Sequence, residues 1–203
     1  MDNKAYLDQI AVKTKVKSGP VITPMLIKLI AAGIIMLITL VIVGNVISSS
    51  NAKVTRTFER VYLRITKLAD QNSALVKYTK ELRDPNLKSY ATNLYSILST
   101  ASKEFSGVIS STGVKTGSIS STVTSEETKT MSAYSSALED AKLSGTIDRV
   151  FATETSYLLS TLIQYENESL KKTSSQQYAN IANKNMQDLT IIKDQIEEWS
   201  STY

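Results

Sequence analysis

From Val54 onward, apolar side chains recur in alternating steps of four and three. Val54, Phe58, Val61, Ile65, Leu68, Asn72, Leu75, Thr79 and Leu82 form an a/d seam of about four heptads, the signature of a helix with one buried face. Asn72 is the polar member of that seam, and a single buried Asn at such a position fixes helix register and oligomeric state. "RDPN" ends the seam: Asp84 is placed to cap the next helix and Pro85 to fill its first position, where a missing N–H costs nothing. The second helix carries Leu87, Tyr90 or Ala91, Leu94, Ile97 or Leu98, Ala101, Phe105 and Val108 on one face.

Residues 106–125, dense in Ser, Thr and Gly, read as a flexible loop or as a sign that a helix end lies elsewhere. A third helix is expected to open on the capping-box pattern Thr124-x-x-Glu127 and to run through Met131, Tyr134, Leu138 and Ala141 to a stop near Gly145. The fourth carries Ile147, Val150, Phe151, Leu158, Leu162 and Tyr165. The last begins near "TSSQQ" and carries Tyr178, Ile181, Asn185, Leu189, Ile192, Ile196, Trp199 and Tyr203. Asn185 is the natural partner for Asn72 across the core. The expected fold is all-α: an antiparallel bundle of about four to five helices over residues 53–203.

Upstream the pattern changes. Leu29 to Ser48 contains no charged residue, and as a helix this stretch is about 30 Å long, the thickness of a bilayer's hydrocarbon core. Thr39 and Asn45 make no polar stripe, which separates it from a soluble core helix. Thr23 and Pro24 supply a helix start, so residues 23–50 are expected to cross the membrane once and to continue into the first bundle helix. Ser50-Asn51-Ala52 has the small-x-small form of a signal-peptidase site, but the apolar run and the leader are both longer than secretory signals, which favours an uncleaved anchor. Gly44-x-x-x-Ser48 is a small-xxx-small spacing that brings two such helices together. The run Lys13, Lys15, Lys17 and Gly19 before Pro20 is similar to the leader of pilin-like subunits, but Pro24 stands where that class has an acidic residue, so no pilin residue is carried over.

Lys and Arg flank both ends of the apolar run, so topology rests on size. A short basic tail, residues 1–22, stays in the cytoplasm, and long C-terminal domains translocate regardless of charge. The helical domain is therefore expected outside the cytoplasm. A tail of about 20 residues is too short for a signalling domain, so any signal would pass to another membrane protein.

Composition removes much chemistry. The 203 residues include no Cys and no His, which excludes thiolate nucleophiles, disulfides, His-dependent triads and the commonest metal ligands. A net charge of +4, scattered along the chain, gives no nucleic-acid footprint. The carboxylate pairs Glu126–Glu127, Glu139–Asp140 and Glu197–Glu198 point about 100° apart on a helix and read as solvated faces. Tyr outnumbers Phe ten to three, as suits a thin bundle in which rings are buried and hydroxyls stay wet. No catalytic, cofactor or metal site is expected. The expected role is binding at the cell envelope, sensor-like or adhesive, with the lipid bilayer, further copies of the chain or another envelope protein as partners. The alternative is a structural subunit or scaffold of a membrane-associated or pilus-like assembly.

Overall fold

The computed structural model describes residues 54–202, all within one compact unit spanning Ser49–Tyr203. Among the described residues there are six α-helices and no strands: α1 (residues 54–68), α2 (Ala74–Thr79), α3 (Pro85–Val108), α4 (Ser121–Ser144), α5 (Ile147–Leu170) and α6 (Gln176–Thr202). None of them is long and apolar enough to cross a membrane. The expected tail, the membrane segment 23–50 and its Gly44–Ser48 spacing lie outside the described residues.

The seam from Val54 to Leu82 does not form one helix. It breaks after Leu68, because "DQNS" supplies side chains that compete with the helical backbone. Asp70 Oδ1 accepts the Asn72 N–H at 2.8 Å, and Ser73 caps α2 by accepting from the Val76 N–H while donating to the Leu68 carbonyl. The turn keeps the heptad phase, so Leu68 and Leu75 are both buried although they lie in different helices. Tyr78, not Thr79, faces the core of α2.

Asp84 and Pro85 start α3 as the sequence requires. The Asp84 carboxylate accepts from the Asn86 and Leu87 N–H groups at 2.8 and 3.1 Å. Seven residues of α3, from Leu87 through Ala91 and Leu98 to Val108, bury one continuous stripe. The expected loop at 106–125 is shorter and better anchored: α3 runs to Val108, α4 begins at Ser121, and two 3-10 turns at Ile109–Thr112 and Thr116–Ser118 fill most of the gap. Ile109 and Val114 are buried there, and Gly113 takes a φ of 82°. Thr124 is thus already helical, and Ser120 precedes the first turn. The capping-box reading fails because Glu127 is drawn inward rather than back to the helix start. Gly145, at φ 75°, ends α4 in a Schellman arrangement, with the Thr146 N–H reaching the Ala141 carbonyl at 2.9 Å.

Pairs across the bundle fix the directions. α4 and α5, joined by only two residues, meet again at Tyr134–Thr155; Ser169–Tyr178 and Glu166–Asn185 run in opposite order, as do Ser111–Ser175 and Glu104–Lys184, so α4–α5, α5–α6 and α3–α6 are antiparallel. Arg60–Glu126 and Lys77–Glu139 advance together, which sets α1 and α2 parallel to α4. α6 packs between α3 and α5, and α4 packs against α5 and α2. α1 is enclosed: between residues 54 and 68 only Arg56 is exposed. Its Phe58 ring meets Tyr178 of α6 edge-on at 5.1 Å, and Phe105 of α3 meets the same ring at 5.3 Å. Tyr78, Tyr134 and Tyr178 are buried, and their hydroxyls bond Glu139, Thr155 and Ser169.

Candidate binding site

An enclosed helix must put every residue type it carries into the interior, and α1 carries Arg64. The Arg64 side chain is 3% exposed and faces Glu127 of α4, which is 2% exposed. Arg64 Nε donates to Glu127 Oε2 at 2.6 Å and Nη2 donates to Oε1 at 3.1 Å, a side-on fork that matches the planar geometry of both groups. The guanidinium also lies 5.4 Å from the centre of the Tyr165 ring of α5, where the π face attracts a desolvated cation. Nη1 is buried and has no hydrogen-bond partner among the described residues. One turn earlier, Arg60 reaches the same ring at 5.8 Å and bonds Glu126 at 2.5 Å.

Above this pair, α4 and α5 part to leave a cleft of about 340 Å³ lined by Arg64, Lys129, Tyr134, Glu154, Tyr157 and Tyr165, among others. Lys129 is exposed and Glu154 half-buried, and neither forms an ion pair with any described residue. The Tyr134 hydroxyl is tied to Thr155 at 2.9 Å, and burial raises it well above the ordinary phenol range. It therefore stays protonated and serves as a wall rather than a base. On the other side of α4, the break between α1 and α2 leaves a cleft of about 280 Å³. Lys67, Asp70, Asn72 and Thr128 line it.

Asn72 is exposed on the rim of that second cleft and does not meet Asn185. The reason is the turn: once Asp70 and Ser73 draw the backbone out of the helix, position 72 no longer lies on the buried face. Asn185 is buried as expected, but its partner is Glu166 of α5. The Asn185 Nδ2 donates to Glu166 Oε1 at 2.5 Å. Glu166 is fully buried, and among the described residues no cation pairs with it and Oε2 has no hydrogen-bond partner. Burial pushes its carboxyl up to about 8, opposed in part by the bond from Asn185.

The carboxylate pairs divide. Glu126, Glu139 and Glu197 are exposed and bridge to Arg60, Lys77 and Lys193, whereas Glu127 is a core residue. Among the described residues no three acidic side chains converge as metal ligands. Glu127 and Glu166 were both visible in the sequence as charges inside apolar stripes: Val123, Glu127, Tyr134 on one helix, and Leu159, Leu162, Glu166 on the next. Arg64, between Val61 and Leu68, is their counterpart on α1. No family model, curated protein or solved structure matches this chain.

Proposed function

We propose that this chain is a single-pass membrane protein whose helical domain acts by binding, as a sensor-like or adhesive module at the cell envelope, and not by catalysis. The observation that carries the reading is the uncharged stretch Leu29–Ser48 ahead of an independently cored bundle. In this arrangement residues 1–22 form a cytoplasmic tail, residues 23–50 span the bilayer, and the domain from residue 53 lies on the far side. Binding is favoured by the character of the clefts. The α4–α5 cleft sets Lys129 and Glu154, which form no ion pair with any described residue, among the rings of Tyr134, Tyr157 and Tyr165, and the chain lacks Cys and His to act as nucleophile or base. Protease added to intact cells tests the topology. It should degrade the bundle and spare an N-terminal epitope, and the reading fails if the bundle is protected. Release of the chain from membranes by alkaline carbonate would refute the anchor itself.

A structural subunit is the second reading. It is favoured by an apolar groove between α5 and α6 lined by Ile163, Met186 and Ile191, the last of them 57% exposed. Gentle solubilisation and affinity isolation separate the two. A scaffold comes out as a stoichiometric assembly of itself, a binding module with a different molecule.

A further inference from the structure

The α4–α5 cleft is polarised along its length. Tyr134 faces Thr155 across an antiparallel pair, so Glu154 lies level with residue 135. Lys129 lies six residues back along α4, about 9 Å away at 1.5 Å per residue. Arg64, held at the level of Glu127 and Tyr165, is farther still from Glu154 and on the same side as Lys129. One end of the cleft therefore offers the exposed ammonium of Lys129, with the Arg64 guanidinium buried at the cleft floor against Glu127. The other offers a half-buried carboxylate with no ion-pair partner among the described residues. Glu127 neutralises most of the charge on Arg64 and takes its Nε and Nη2 hydrogens, so Lys129 supplies the net positive charge at that end.

Lys129 and Glu154 thus stand about 9 Å apart along the helices, and a ligand that satisfies both carries an anion and a cation at roughly that separation. A free amino acid is too short to span them. An extended chain advances about 3.3–3.6 Å per residue, so about three residues put a terminal ammonium and a terminal carboxylate roughly 10 Å apart. The walls between the ends suit such a chain: Tyr157 and Leu158 are apolar, while Thr130 and Thr161 carry hydroxyls. We infer that the α4–α5 cleft binds a short free peptide of about three residues, its carboxylate at Lys129 and its ammonium at Glu154. The inference rests on the reading of the bundle as a binding module and names the class of its ligand.

Titration calorimetry on the full chain in mild detergent tests this with trialanine, N-acetyl-trialanine and trialanine amide. Trialanine should bind, and blocking either end should weaken binding about tenfold, the loss of one charge-assisted contact. Glu154→Gln should abolish the preference for a free amino end and leave the preference for a free carboxylate. Lys129→Met should do the reverse. Both positions lack ion pairs among the described residues, so circular dichroism should show both variants folded; the capped peptides test the wild-type chain without any substitution. No heat with trialanine up to about 10 mM overturns the inference. Equal binding of the doubly capped peptide also overturns it, and would mark the cleft as taking an internal segment of a protein. Either failure leaves the membrane reading standing, because that reading is decided by protease and carbonate treatment.

Discussion

Glu166 makes the stability of this domain depend on pH in an uncommon direction. Its carboxyl is fully buried, hydrogen-bonded among the described residues by Asn185 alone, and pushed from an ordinary 4.5 to about 8. Between those two values the folded protein holds a proton that the unfolded chain releases, so stability falls as pH rises through that window. At about 1.4 kcal/mol per pH unit the full gap amounts to about 5 kcal/mol, and the part between pH 5.5 and 8 to about 3 kcal/mol. Above pH 8 the loss is complete. Glu166→Gln copies the protonated shape, accepts the same bond from Asn185 and has no proton to lose. We expect the variant to lie within about 1 kcal/mol of wild type at pH 5.5. At pH 8.5 it should exceed wild type by about 3 kcal/mol, or about 6–12 °C in Tm for a domain of this size. Thermal melts followed by circular dichroism at both pH values measure the difference, and other titrating groups cancel in the comparison. Parallel pH profiles for the two proteins would refute the argument, since they require Glu166 to be ionised in the fold or solvated.

The buried pair gives a second prediction. Glu127→Ala leaves Arg64 charged in the interior and should cost about 3–5 kcal/mol, while Arg64→Met with Glu127→Leu should be nearly neutral; urea denaturation of the three proteins decides, and a double variant as unstable as the single one contradicts it. Gly145→Ala imposes a side chain on a φ of 75° with an Arg83 nitrogen 3.4 Å from the new carbon. It should destabilise by about 1 kcal/mol, read as a lower urea midpoint at unchanged slope. Asn72→Leu should change stability by less than about 0.5 kcal/mol, because the side chain is exposed in a turn held by Asp70 and Ser73; a larger shift in Tm would return Asn72 to an interface.

Local signals in the sequence determined where most helices begin and end. Asp84 with Pro85, Gly145, and the "TSSQQ" segment act within a turn of the backbone, and each marks a boundary that needs no tertiary partner. The buried stripes of α3, α5 and α6 follow equally from spacing, because a helix presents a fixed face to whatever it packs against. The sequence also named the break in the first seam, in Asp70 and Ser73, but heptad phase ran across it and concealed it. What it could not decide is which helix becomes the central one. That depends on all its neighbours at once, and it made Arg64 the floor of a cleft, turned Glu127 from a capping residue into its counterion, and turned Asn185 from a partner of Asn72 into the bond donor of Glu166. A charge in an apolar stripe announces only that something unusual must be buried there. Its partner comes from another helix, and only the packed bundle chooses it.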